Sequence, residues 1–177
     1  MLYVAEGRQQ ASLDGFWERL TAEQKPRIEA VAMDMWDPYG ASVRAHVPGA
    51  EKKIVFHKFH IAKHVGEAVD RGRRGEQKIL KAARDDRLTG TRYDWLRHPA
   101  RMEPKDRQEF AKLRNSGLKT ARAWAWKETG MALFHYVYER PARKHFRRWH
   151  NWAVRSWLKP MIAVGRMLKR RFENIIT

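Results

Sequence analysis

Cysteine is absent from all 177 residues. That excludes a disulfide framework, a thiolate zinc finger, an iron–sulfur cluster and a cysteine nucleophile. Also missing is any unbroken run of about 18 apolar residues, the length a membrane-spanning helix needs. The opening residues, Met1-Leu2-Tyr3-Val4-Ala5, reach Glu6 and Arg8 before a signal-peptide core can form. These absences lead us to expect a soluble, non-exported protein of a reducing cytoplasm. Two motifs of site chemistry are lacking as well. Gly72-Arg73-Arg74-Gly75 has neither the spacing nor the strand–loop–helix setting of a phosphate loop. No G-x-S-x-G nucleophile elbow occurs.

Acidic residues are scarce beside basic ones, 20 against 37, for a net charge of +17. Hydrophobic residues make up 43% of the chain, enough to build a core, which argues against a wholly disordered tail. Residues 1–64 hold 9 basic and 8 acidic side chains, whereas residues 65–177 hold 28 and 12. Trp95, Trp124, Trp126, Trp149, Trp152 and Trp157 all fall in that second, basic part. A field this positive attracts polyanions, and nucleic acid is the commonest of them. A membrane surface or an acidic protein would satisfy the charge as well.

The first third alternates short apolar runs with helical periodicity. Strands are expected at residues 2–6, 28–33 and 53–56. A helix is expected over residues 12–21, where Leu13, Phe16, Trp17 and Leu20 share a face. Asp37-Pro38 predicts another helix start, with Asp37 accepting from free amides, and the helix should stop at Pro48-Gly49. A third helix is expected over residues 59–71. The order β-α-β-α-β-α argues for an α/β fold with a parallel sheet. Three strands leave edges unpaired, so further strands are expected outside this chain.

From Gly75 onward only helical periodicity persists. Residues 82–102 read as a connecting excursion. Residues 118–140 suit a long helix with Gly130 as a weak point and Pro141 to end or kink it. Phe146, Trp149, Trp152 or Ala153, and Trp157 follow at helical spacing up to Pro160. That spacing assigns the tryptophans to a buried face rather than to base stacking. Met161, Val164, Leu168, Phe172 and Ile175 form one side of the last segment, and Arg166, Lys169 and Arg170 form its back. This basic back, together with Arg147 and Arg148, is the candidate DNA-binding surface.

Asp34 is the first candidate for chemistry. It directly follows an apolar strand, and in open α/β sheets functional groups gather at the carboxyl ends of strands. The alternative is a turn or capping aspartate, but Asp37 is the better placed cap, which leaves Asp34 with no obvious local task. One carboxylate cannot hold two hard cations, because magnesium-assisted phosphoryl transfer assembles several acids from different strands. His57, His60 and His64 form a second constellation. Zinc would require a third and fourth ligand, and a histidine hydrogen-bonded near the sheet's end or contacting phosphate is the more ordinary role.

The ordered series Val4-Ala5-Glu6-Gly7-Arg8, Ala30-Val31-Ala32-Met33-Asp34-Met35-Trp36-Asp37-Pro38-Tyr39, Lys53-Ile54-Val55-Phe56-His57-Lys58-Phe59-His60-Ile61-Ala62-Lys63-His64, Leu118-Lys119-Thr120-Ala121-Arg122-Ala123-Trp124-Ala125 and Arg166-Met167-Leu168-Lys169-Arg170 resembles the DDE transposase domain of bacterial insertion sequences of the ISL-three family. The resemblance implies an incomplete ribonuclease H-like sheet in residues 1–74 and a basic helical insertion in residues 75–177. It implies that Asp34 is the second Asp of a catalytic triad and a magnesium ligand, and that His60 belongs to a recurring Asp-x-x-His element. His57 stands where the Asp of that element is usual. The other two catalytic carboxylates are expected before Met1 and after Thr177. The resemblance thus implies a transposase fragment of the bacterial cytoplasm that binds transposon-end DNA, works alongside other transposase chains and cleaves nothing alone. The competing expectations are a non-catalytic basic DNA-binding module and an interaction protein whose sheet edge seeks a partner chain.

Overall fold

The computed structural model describes residues 3–176. They divide into two compact units, residues 3–61 with 171–176, and residues 62–170. The first is mixed α/β and the second helical.

In the first unit, strand β1 (Val31–Met33) pairs in parallel with β2 (Ile54–Phe56), Val31 opposite Ile54 and Met33 opposite Phe56. Helix α1 (Gln10–Trp17) precedes β1, and α2 (Asp37–His46) and α3 (Ala50–Lys53) form the crossover that a parallel pair requires. Trp17 buries its ring, and its indole nitrogen donates to Ser42 Oγ at 2.9 Å. The Ser42 hydroxyl in turn donates to Asp14. The chain returns to this unit at its end, where the Asn174 amide donates to the carbonyls of Glu51 and Ile54 at 2.8 and 3.0 Å.

The sheet differs from expectation at its start. Of the strand expected at residues 2–6, residue 2 lies outside the described residues and residues 3–6 are irregular. Side chains hold this segment to α1 in place of a ladder. The Tyr3 ring lies 5.8 Å from Phe16, and Ser12 Oγ donates to the Glu6 carbonyl at 2.8 Å. Val4, 74% exposed, has no apolar layer to join. Asp37 departs from its expected role too. It occupies the first helical position rather than the cap, makes no capping bond, and pairs with Arg171.

Helix α4 (Lys58–Ala82) passes through the expected stop at Arg71. Its Gly72-Arg73-Arg74-Gly75 stretch stays helical because Asp70 pairs with Arg73 at 2.9 Å and Arg74 at 3.4 Å, one turn on. The expected excursion at 82–102 is part of the core. It contains α5 (Arg92–Leu96), and Leu88 and Trp95 are fully buried. Trp95, Phe110 on α6 (Pro104–Arg114) and Trp124 on α7 (Lys119–Met131) pack edge to face, with ring centroids 5.0 and 5.4 Å apart.

The long helix expected over 118–140 is broken. After α7 comes a 3-10 turn, Ala132–His135, and then α8 (Glu139–Val154). Pro141 lies in the first turn of α8, where a missing N–H costs nothing, so it serves a start and not an end. Gly130 stands one residue before the end of α7, where a weak point is expected, and it is also a point of close approach, since a Cβ there would lie 2.6 Å from the Trp149 indole nitrogen. That approach lets Trp149 stack on Trp126 at 4.5 Å and donate to the Trp126 carbonyl at 2.8 Å.

On α8 the buried face is Phe146, Trp149 and Ala153. Helix α9 (Lys159–Arg170), with Pro160 in its first turn, buries Met161, Val164 and Leu168. The two helices meet where Gly165 backs onto Ala153, with 2.9 Å between a Cβ at Gly165 and the Ala153 methyl. Trp157 contradicts its assignment to the buried face. It lies in the loop between α8 and α9 and is 91% exposed. Phe172 and Ile175 do not continue the α9 face, because the chain enters the first unit at residue 171.

Candidate functional site

Parallel pairing puts the carboxyl ends of β1 and β2 side by side. Asp34 follows β1 directly, and His57 to His60 follow β2, so residues 26 apart in sequence meet at one edge. Asp34 Oδ1 lies 3.3 Å from His60 Nδ1, with both side chains about one-third exposed. The same Oδ1 accepts the N–H of the next residue, Met35, at 2.6 Å, a local bond that its sequence position does not suggest. Its other oxygen, Oδ2, faces the Arg8 guanidinium at 3.8 Å.

His57 does not join this pair. Its Nδ1 accepts the Phe59 N–H at 3.1 Å and so caps the start of α4. Asp is a preferred residue for that position, and the imidazole nitrogen here supplies the same acceptor. His64, one helical turn beyond His60, falls among the residues of the second unit.

Arg8 and Trp36 complete the cluster, and sequence reasoning singles out neither. The Arg8 guanidinium lies over the Trp36 ring, 5.4 Å from its centroid, while the Trp36 indole donates to the Arg8 carbonyl at 2.7 Å. Both fall within runs that carry the family resemblance, which is the one signal that could have found them; helical and strand periodicity hold none.

Magnesium prefers an octahedral shell of oxygen ligands. Asp34 offers a single carboxylate, engaged by a backbone N–H and flanked by an imidazole and a guanidinium. No group of three or more His, Cys, Asp or Glu that could hold a metal ion occurs among the described residues. The residues present therefore do not by themselves fit a catalytic magnesium site.

The basic candidates lie in the second unit. Arg147 and Arg148 on α8, and Arg166, Lys169 and Arg170 on α9, are all exposed. Residues 140–170 contain ten Lys and Arg and no Asp or Glu. Beneath them His150 is buried, and burial together with the positive charges of Lys169 and Arg166 holds its pKa below the ordinary histidine value, against a hydrogen bond with Asn151. The whole second unit carries 28 basic and 11 acidic side chains, a surplus of 17, whereas the first carries nine of each.

Comparison with protein families matches the chain over residues 1–177 to the ISL-three model of DDE enzymes, described as a transposase. The transposase for insertion sequence element IS1001 of Bordetella parapertussis is 26% identical over 181 residues, covering 99% of this chain and 44% of that protein. The chain thus spans less than half the length of this curated relative. No solved structure matches it.

Proposed function

This chain belongs to the ISL-three family of DDE transposases, and from that premise we propose that it joins one catalytic carboxylate to a helical DNA-gripping region. The family implies a divalent metal. In the intact enzyme Asp34 supplies one acid of the metal-holding set, and His60 orients its carboxylate. Residues 1–74 contribute to a ribonuclease H-like core, of which β1 and β2 are neighbouring parallel strands. Residues 75–177 form the inserted region that binds transposon ends, with Arg147, Arg148, Arg166, Lys169 and Arg170 on phosphates. No helix among the described residues is long and apolar enough to cross a membrane. The proposed setting is the bacterial cytoplasm, where the DNA lies.

The observation that carries this reading is the segregation of charge. A surplus of 17 confined to the helical unit is the electrostatic footprint of a phosphate-binding surface. Cleavage by in-line displacement needs several metal-held acids, and a lone Asp34 does not make that set. Incubation with transposon-end DNA and magnesium is therefore expected to give a retarded complex without nicking. Nicks above background, abolished by Asp34→Ala, would overturn the claim that this stretch is inactive alone.

The pairing of Asp34 with Arg8 and the Met35 N–H favours a second reading, in which Asp34 is structural and the chain is a non-catalytic DNA-binding module. Affinity that ignores both magnesium and Asp34→Asn would support that version. A sheet of only two strands among the described residues also suits added strands from other transposase chains, which a size-exclusion mass above the monomer would reveal.

A further inference from the structure

Trp157 is placed against the interest of the fold. Its backbone has φ of +60°, a conformation that glycine or asparagine takes readily and a bulky side chain rarely does. Its ring is 91% exposed, so it returns nothing to the core for that strain. The other non-glycine residue with positive φ, Arg84, ends α4, and there the next N–H, of Asp85, bonds back to the Leu80 carbonyl at 2.9 Å. At Trp157 the turn is fixed by its neighbour. Ser156 Oγ donates to the Ala153 carbonyl at 2.7 Å and accepts the Leu158 N–H at 3.1 Å. The serine builds the turn, and the tryptophan is only presented by it. Strain held at a side chain that packs on nothing marks a functional position.

The surroundings select the ligand. Exposed Arg155 and Lys159 flank the turn, and the two helices it joins are rich in Lys and Arg. Phe146, Trp149 and Ala153 of α8 and Met161, Val164 and Leu168 of α9 are buried, whereas Trp152, on α8 five residues before Trp157, is 39% exposed. A planar ring, 91% exposed and held out within a phosphate-attracting field, suits a nucleobase that is unpaired and free to stack. We propose that Trp157 stacks on an unpaired base of bound DNA, so that the hairpin of α8 and α9 distinguishes distorted or single-stranded positions from continuous duplex. This rests on the DNA-binding reading given above.

The test uses the full chain and two labelled oligonucleotides, a continuous duplex and the same duplex carrying one extra, unpaired 2-aminopurine. Trp157→Ala is expected to weaken binding to the bulged DNA about tenfold, within the range for loss of one stacked base. It should leave duplex affinity unchanged and abolish the quenching of 2-aminopurine, while Trp157→Phe keeps most of both. Trp157→Gly should lose the preference yet unfold at a temperature no lower than the parent, because glycine relieves the backbone. An equal loss on both DNAs, no loss on either, or a lowered unfolding temperature for the glycine variant would overturn the inference while leaving DNA binding intact. Failure of the parent chain to bind either DNA would overturn the DNA-binding reading and this one with it. Loss confined to anionic phosphatidylglycerol vesicles would assign the ring to a membrane surface and overturn stacking.

Discussion

The two compact units solve opposite problems. The first has nine basic and nine acidic side chains and can link polar groups in series, Trp17 to Ser42 to Asp14, with Asn174 tying the returning chain to the start of β2. The second must fold against a surplus of 17 positive charges, which repel one another in the compact state. It does so with large aromatic rings in its interior and with a few acids that each serve several donors. Asp70 faces Arg73, Arg74 and Arg92. The Glu76 carboxylate accepts from the backbone N–H groups of Lys119 and Thr120 and from the Thr120 hydroxyl, at 2.6 to 2.7 Å. It thereby caps α7, whose own N-cap residue, Leu118, has no side chain able to do so. With so few acids among so many cations, those that remain are structurally expensive to lose.

The contrast breaks if aromatic packing is not what holds the basic unit. Trp126→Ala should give the largest effect, about 3–5 kcal/mol of stability by denaturant titration, because it removes the ring stacked on Trp149. Next comes Glu76→Ala, expected to cost about 2 kcal/mol, in the range of a lost charged cap. Glu76→Gln should recover part of that by keeping an acceptor. A negligible cost for Glu76→Ala would mean that the acids of this unit are not shared supports. The smallest effect concerns pH. His150 has its pKa held below 6.5 when folded, so as pH falls through about 6.5 the unfolded chain takes up the proton first. Stability should therefore decline from pH 7 to pH 5, and His150→Phe should flatten that decline.

Much of this is legible in the residues. The three-residue strands β1 and β2 lie inside the runs expected for them, and Asp34 stands out by its place after β1. Its meeting with His60 follows from parallel pairing, a tertiary fact that periodicity does not contain. Two prolines show a different limit. Pro141 and Pro160 look like stops in the sequence, yet each lies in the first turn of a helix, because a residue lacking an N–H is as acceptable there as it is beyond a helix end. Helical spacing continues through Trp157 and so assigns it to the wrong face, while the turn it occupies depends on the Ser156 hydroxyl and a left-handed backbone. Glu76 is invisible for a related reason. The helix it caps begins 43 residues further along the chain.

The most direct test of the division of labour is the salt dependence of DNA affinity. Removing one cation from a phosphate should reduce the slope of log affinity against log salt by about 0.9. Replacing Arg147, Arg148, Arg166, Lys169 and Arg170 together by Gln is therefore expected to flatten that slope by about 4.5, with no change on replacing Arg19, Arg27 and Arg44 of the neutral unit. An unchanged slope in the first variant, or an equal reduction in the second, would contradict the assignment of DNA binding to the helical unit.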